Sequence, residues 1–138
     1  MSNIYLAFDY GERRIGTAVG DDLTGTARPQ TTLNTGDWAA ITKLIADWRP
    51  AALILGLPLD ENGGEQPMSV LVRDFAVHLH AHTKLPVHLS DERFSSREAD
   101  DVLRGARASG HMTRRVRKGD RDGEAARIIL EQWLSEGR

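Results

Sequence analysis

No cysteine occurs among the 138 residues. Disulfides and thiolate zinc sites are therefore excluded, and the composition suits a reducing compartment. No apolar run approaches membrane-spanning length, and the N-terminus leads straight into a strand pattern. The expectation is an unprocessed, cytoplasmic protein that engages no membrane. No repeat, linker or low-complexity tract divides the chain, so a single domain over 1–138 is expected. Acidic residues are missing from one long stretch, Val102 to Gly119, while Arg104, Arg107, Arg114, Arg115, Arg117 and Lys118 all fall within it.

What is present is ordinary in bulk. A hydrophobic fraction of 40% and a charged fraction of 28% fit a globular chain long enough to bury a core. The net charge of −2 argues against nucleic acid, but the basic segment outweighs the sum. An arbitrary charge run is usually a solvated loop. This one leads toward an acid, Asp122, and a cationic segment beside an acidic site suits a polyanionic substrate.

Three acids stand where acids are costly. Asp9 ends the apolar run Ile4 to Phe8, Glu92 follows Val87 to Ser90, and Asp122 opens the pattern Ala125, Ala126, Ile129, Leu130, Trp133. A carboxylate at the edge of a core must be paired or hold a cation. Oxygen ligands select hard cations, Mg²⁺ or Mn²⁺, and such ions point to phosphodiester chemistry. Asp122 could instead be a helix N-cap, although Asp120 could serve there. Asp122 shares a helical face with Ala126, Ile129 and Trp133, which favours a role toward the sheet.

The patterning gives the order βββαβαβαα. Residues 4–9 and 14–20 read as a hairpin around Tyr10-Gly11-Glu12-Arg13. The Thr-rich stretch 24–33 reads as a third strand, weakened by Pro29. Asp37 precedes a helix with the stripe Trp38, Ile41, Ile45, Trp48, ended by Pro50. Residues 51–57 form a continuous apolar run, as in a central parallel strand. Pro67 suits the first turn of a helix whose inward face is Leu71, Phe75 and Leu79. Residues 86–90 read as a short strand. Ser95 and Glu98 make a capping-box pattern. Residues 105–119 read as a loop or weak helix, and the last helix spans about Asp122 to Leu134. This is a mixed α/β fold with helices on both faces.

Other residues carry weaker signals. Gly56-Leu57-Pro58 ends the central strand, where ligands of open α/β sheets gather. Glu65 and Arg73 could orient substrate, although such residues are more often surface charges. Arg93 puts a guanidinium beside Glu92, which could hold a phosphate or simply form a local ion pair. His78, His80 and His82 lack the partners of a zinc set and read as exposed. The hairpin at Asp9 could equally cradle nucleotide phosphates, as in actin-like ATPases and sugar kinases.

Five stretches together resemble the YqgF (RuvX) family of the ribonuclease H-like superfamily. They are FDYGERRIGTAVGD at 8–21, GLPLDENGGEQ at 56–66, VRDFAVHL at 72–79, DERFSS at 91–96 and KGDRDGEAARIIL at 118–130. The resemblance covers Leu6 to about Leu134. It implies a five-stranded mixed sheet of order 3-2-1-4-5 and a divalent-metal nuclease that matures the 5′ end of 16S ribosomal RNA. It also implies a Holliday-junction resolvase as an alternative. Asp9, Glu92 and Asp122 match the family's acids, and Lys118 its basic residue before the last helix. Phe94 replaces a usual Leu, and Asp120 and Arg121 replace a common Lys and apolar residue.

The expected protein is thus a hydrolase, a nuclease of structured nucleic acid. Asp9, Glu92 and Asp122 are its catalytic residues and its ligands for Mg²⁺ or Mn²⁺. Lys118, Arg93, Arg114, Arg115 and Arg117 bind substrate. The expected partners are precursor rRNA or DNA junctions, with ribosomal particles besides, and the protein is a monomer or weak homodimer. A non-catalytic nucleic-acid-binding module is a rival. An actin-like ATPase is disfavoured, because such enzymes clamp nucleotide between two domains.

Overall fold

A computed structural model describes residues 3–91 and 118–136, with the side chains of 118–122 left out. Two strands start the chain, β1 (Ile4–Tyr10) and β2 (Arg14–Asp21), paired antiparallel from Ile4↔Asp21 to Tyr10↔Ile15. This is the expected hairpin. Its turn is tight: a Cβ on Gly11 would lie 2.6 Å from the Arg14 carbonyl oxygen, so only glycine fits there.

The expected third strand is broken in two. β3 (Ala27–Pro29) and β4 (Leu33–Asn34) both pair with β2. Pro29 lacks the N–H needed to continue a ladder. Past it, Gln30 N–H donates to the Thr17 carbonyl at 2.8 Å, and the Thr17 hydroxyl donates to the Thr31 carbonyl at 2.5 Å. The chain leaves the sheet there and rejoins it at Leu33.

α1 (Trp38–Trp48) follows, capped by Asp37, whose carboxylate accepts from Ala40 N–H at 3.1 Å. Arg49 ends it in the left-handed region at φ 48, just before Pro50. β5 (Ala52–Leu57) is buried throughout and runs parallel to β1. α2 (Pro67–Thr83) opens on proline, as expected. Its inward stripe is Val72, Phe75 and Leu79, whereas Leu71 is 40% exposed. Positions 71, 75 and 79 span about 80° of the helix and 72, 75 and 79 about 60°, so Leu71 falls at the edge of the buried face. β6 (Val87–Asp91) pairs parallel with β5.

The last helix, α3 (Lys118–Ser135), already includes Lys118, ahead of the expected start near Asp122. Asp122 and Asp120 therefore both lie inside the helix rather than at its cap, and Lys118 lies within the helix instead of preceding it. Local propensity does not account for these turns, since Gly119, Asp120, Asp122 and Gly123 are poor helix formers; the close seating of Gly123 on Pro29 is a tertiary contact that holds them. The expected loop 105–119 thus ends in helix at Lys118 and Gly119. Its remainder, and the capping box at Ser95 and Glu98, lie outside the described residues.

The sheet order is β3-β2-β1-β5-β6, with β4 also on β2. This matches the expected 3-2-1-4-5 once the broken third strand is counted as one. Alternation along β1 splits the core. Leu6 and Phe8 join Ile15, Leu53, Leu55, Val72 and Leu79 beneath α1 and α2. Tyr5 and Ala7 join Ala52, Ile54, Ile129, Leu130 and Trp133 beneath α3. Helices thus cover both faces. Among the described residues no helix is long and apolar enough to cross a membrane.

Candidate active site

β1, β5 and β6 are parallel, so their C-terminal ends share one edge of the sheet. Asp9 stands at that edge, two residues after Ala7. It therefore takes the face of Tyr5 and Ala7, the face that α3 covers, and it is partly exposed. Its antiparallel partner is Gly16, which presents no side chain. The turn beyond it is held from the side: the Thr35 hydroxyl donates to the Gly11 carbonyl at 2.6 Å, and Thr35 N–H donates to the Arg13 carbonyl at 3.0 Å.

The seating of α3 follows from its contacts. Trp133 lies against Tyr5 and His88, with ring centroids 5.0 and 5.3 Å away. A Cβ on Gly20 would meet Leu130 Cδ2 at 3.0 Å, and a Cβ on Gly123 would meet Pro29 Cβ at 3.0 Å. Gly20 pairs with Tyr5 and Ala27, whereas Pro29 pairs with Ala18 and so lies level with Ala7. Traced backward from Trp133 to Gly123, the helix thus advances toward the Asp9 end of β1. Asp122 is the next residue back, one turn before the fully buried Ala126.

A polar clasp fixes that seating. Glu131 Oε2 accepts from the Ala27 N–H at 2.9 Å. Its other oxygen accepts from Arg127 Nη1 at 2.7 Å, and Arg127 Nε donates to Glu124 Oε1 at 2.6 Å. Charge-assisted hydrogen bonds to a partly buried backbone group hold position better than exposed ion pairs do. The sequence reading missed this clasp. Its only trace there is the spacing Glu124, Arg127, Glu131 on one helix face.

β6 alternates in the same way. His88 meets Trp133 on the α3 face, and Val87 packs on the opposite core. Ser90, two residues after His88, is buried. Asp91 pairs with Leu57 at the shared edge. Glu92 and Arg93 come next in sequence and lie outside the described residues, as do Arg104, Arg107, Arg114, Arg115 and Arg117. The structure thus describes Asp9 and the backbone of Asp122 and Lys118.

Glu65 and Arg73 bind each other. Arg73 donates from Nε to both Glu65 oxygens at 3.0 Å and from Nη2 to Oε2 at 2.7 Å. This hydrogen-bonded guanidinium holds the Glu65 carboxyl below the usual glutamate range and raises the pKa of Arg73. The pair ties the loop after β5 to α2. Within the loop, Asp60 Oδ1 accepts from Asn62 and Gly64 N–H at 2.9 and 2.7 Å. His80 Nδ1 contacts the Leu85 carbonyl at 2.8 Å, and His82 stacks on Trp38 at 4.1 Å. Asp74 sits 3.6 Å from His78 Nε2, an acidic neighbour the sequence reading overlooked.

Comparison with known proteins places these features. The family model described as "RuvX: Holliday junction resolvase" matches residues 3–136. A curated relative from Enterobacter sp. (strain 638), named provisionally as a pre-16S rRNA nuclease, is 41% identical over 99% of both chains. A relative of the same name from Escherichia coli O7:K1 is also 41% identical, again over 99% of both. Among solved structures, Thermus thermophilus RuvC bound to a Holliday-junction substrate superposes with a TM-score of 0.56 at 14% identity. It covers 98% of this chain and 96% of that one. The fowlpox virus resolvase with Holliday-junction DNA gives 0.55 at 14% identity, covering 96% and 97%. At such identities the likeness is one of fold.

Proposed function

Because the chain belongs to the RuvX family, we propose that it is a nuclease that hydrolyses phosphodiester bonds of structured nucleic acid, with the 5′ end of precursor 16S rRNA as its substrate. The observation that carries this reading is the position of Asp9. It is a partly exposed carboxylate at the C-terminal edge of three parallel strands, on the face to which α3 brings the backbone of Asp122. Ligand sites of open α/β sheets lie at that edge.

Asp9, Glu92 and Asp122 are the proposed catalytic residues and metal ligands. The alternation of β6, with His88 on the α3 face, supports Glu92 as the second acid. The described residues alone contain no complete cluster of three ligands; Glu92 and Asp122 complete the set. All three donors are carboxylates, which fits a hard cation, Mg²⁺ or Mn²⁺. When bound, such a cation supplies an acidified water and charge neutralisation at a phosphodiester. The chain's own contribution is placement. The β1–β2 turn fixes Asp9, and the Glu131–Arg127 clasp fixes the helix that carries Asp122. Lys118, Arg93, Arg114, Arg115 and Arg117 hold flanking phosphates and steer the polyanion to the acids. The protein acts in the cytoplasm, on ribosomal particles, as a monomer or weak homodimer.

A second reading, cleavage of DNA four-way junctions, is favoured by the family description and by the fold shared with junction resolvases. The test is a cleavage assay on precursor 16S rRNA and on a four-way DNA junction, with Mg²⁺ or Mn²⁺, wild type beside Asp9→Asn. Cleavage of the rRNA alone, lost in the variant, supports the first reading. Cleavage of the junction alone supports the second. Binding without cleavage of either would leave a non-catalytic binding module.

A further inference from the structure

A cavity of about 240 Å³ opens beside the proposed site, on the opposite face of the same strand end. Its walls are Tyr10 and Trp38, both half-buried, and its floor is Phe75. Tyr10 directly follows Asp9, so their Cα atoms are about 3.8 Å apart while their side chains take opposite faces. The aromatic rings pack together: Tyr10 lies 4.7 Å from Phe75, and Trp38 lies 5.5 Å from it. His82 stacks flat on Trp38 at 4.1 Å, which fixes that indole from outside the cavity. The rim carries Leu71 and two polar groups, Asp74 and His78.

Size, polarity and place select an occupant. The volume is below the roughly 300 Å³ at which pockets for drug-sized ligands begin, so a single flat ring system fits better than a whole cofactor. No lysine or arginine lines the cavity. The Asp74 carboxylate accepts hydrogen bonds and repels phosphate. Aromatic walls with a few polar groups are how proteins hold an unstacked base; here those groups are Thr35, His78 and Asp74, and the Asp74 carboxylate, 3.6 Å from His78 Nε2, suits an exocyclic amino group such as cytosine N4. We propose that this cavity receives an unpaired nucleobase of the substrate, held against Tyr10 and selected by Asp74 for an exocyclic amino group. The inference rests on the nuclease reading above. A strand that crosses the sheet edge would leave its phosphate on the Asp9 face and turn a nearby base into the cavity. Cleavage would then favour sites next to an unpaired adenine, cytosine or guanine over uracil or thymine.

The test couples a protein change to a base change. The probes are fluorescent stem-loops in RNA and in DNA, with one unpaired nucleotide moved along the strand and replaced in turn by an abasic residue. At one position the abasic change should weaken binding to wild type about tenfold, a typical loss for one stacked base. Tyr10→Leu, which keeps apolar bulk but removes the ring, should weaken binding to the intact probe about as much. It should add nothing on the abasic probe. Asp74→Asn, at an exposed position that should spare the fold, should erase the preference for cytosine over uracil there. The nucleic acid that shows the coupling identifies the source of the base. Losses that multiply, with an unchanged base preference in Asp74→Asn, would overturn the proposal and point to a protein side chain as the occupant. Failure to bind either probe would overturn it as well. Cleavage is scored separately. Wild type that cuts without coupling leaves the nuclease reading intact and removes the cavity; coupling without cutting does the reverse.

Discussion

The two faces of the sheet are built by different means. Beneath α1 and α2 the contacts are almost wholly apolar: Leu6, Phe8, Ile15, Ile41, Leu53, Leu55 and Leu79 are fully buried. Beneath α3 the core is smaller, and the helix is held by close approach at Gly20 and Gly123 and by the Glu131–Ala27 hydrogen bond. Non-directional apolar burial stabilises but positions loosely. Close contacts and charge-assisted hydrogen bonds specify a distance. One face thus supplies stability, and the other supplies the accuracy that the proposed group of carboxylates would require.

Adjacent residues of β1 break this comparison most sharply. Phe8 is fully buried beneath α1 and α2, and Asp9 faces α3. Phe8→Ala should destabilise the fold by about 3–5 kcal/mol. Where the variant remains folded, its cleavage per folded molecule should be nearly normal. Asp9→Asn should leave the melting temperature near wild type without metal and lower cleavage by at least about a hundredfold, since even residues behind a metal ligand cost 10–100-fold. Chemical denaturation beside a cleavage assay reads both. A large stability loss in Asp9→Asn, with activity retained by the folded fraction, would dissolve the division of labour.

Metal sharpens the comparison next. Millimolar Mg²⁺ or Mn²⁺ should stabilise wild type through binding to the folded state, by about 2.7 kcal/mol at a hundred times the dissociation constant, and so raise its melting temperature. Asp9→Asn should lose most of that rise. Calorimetry across a metal titration measures both, and an equal rise in the variant would move the cation away from Asp9.

Much of this division was legible in the sequence. The hairpin, the buried β5 and Pro67 opening α2 follow from apolar periodicity and turn residues, and the strand order from the family resemblance. The resemblance marked Asp9 and Asp122 as acids of the proposed site. What escaped depended on contacts distant in sequence. The break after Pro29 follows from Thr17 competing for the backbone near Thr31. Leu71 and Val72 are both apolar, and only the sheet beneath decides which turns inward. The helical state of Lys118 and Gly119 was hidden because Gly119 reads as the close of a loop. The clasp from Glu131 to Ala27 spans 104 residues, and no local pattern announces it. The aromatic cavity joins Tyr10, Trp38 and Phe75 from three elements in the same way.

Salt bridges of equal spacing should behave differently on the two faces. Arg127–Glu131 and Lys43–Asp47 are both i,i+4 pairs, at 2.7 and 2.9 Å. Side-chain exposure is 24% and 33% in the first pair but 77% and 55% in the second. Arg127→Met should cost about 1–2 kcal/mol, because Glu124 and Glu131 lose a shared charged donor. It should also lower cleavage, because the helix carrying Asp122 loosens. Lys43→Met should change stability by less than about 0.5 kcal/mol and leave cleavage alone. Equal effects from the two substitutions would mean that the clasp does not position α3.

The smallest expected effect lies at the pair that joins the loop after β5 to α2. Glu65 and Arg73 are about half exposed, so water and salt screen them. The Arg73 guanidinium lowers the Glu65 pKa in the folded protein. A depressed carboxyl pKa contributes stability that is present above the unfolded value and lost as pH falls through the folded one. Wild type should therefore exceed Glu65→Gln slightly in melting temperature at neutral pH. The gap should shrink as pH falls below the ordinary glutamate range, and 1 M salt should shrink it at neutral pH. A gap that persists in acid and in high salt would assign the contact to packing rather than charge. Cleavage at neutral pH should be unchanged in Glu65→Gln, because both Glu65 oxygens are engaged by Arg73. A large loss of cleavage there would extend the site across the sheet edge, from the α3 face to the face of α2.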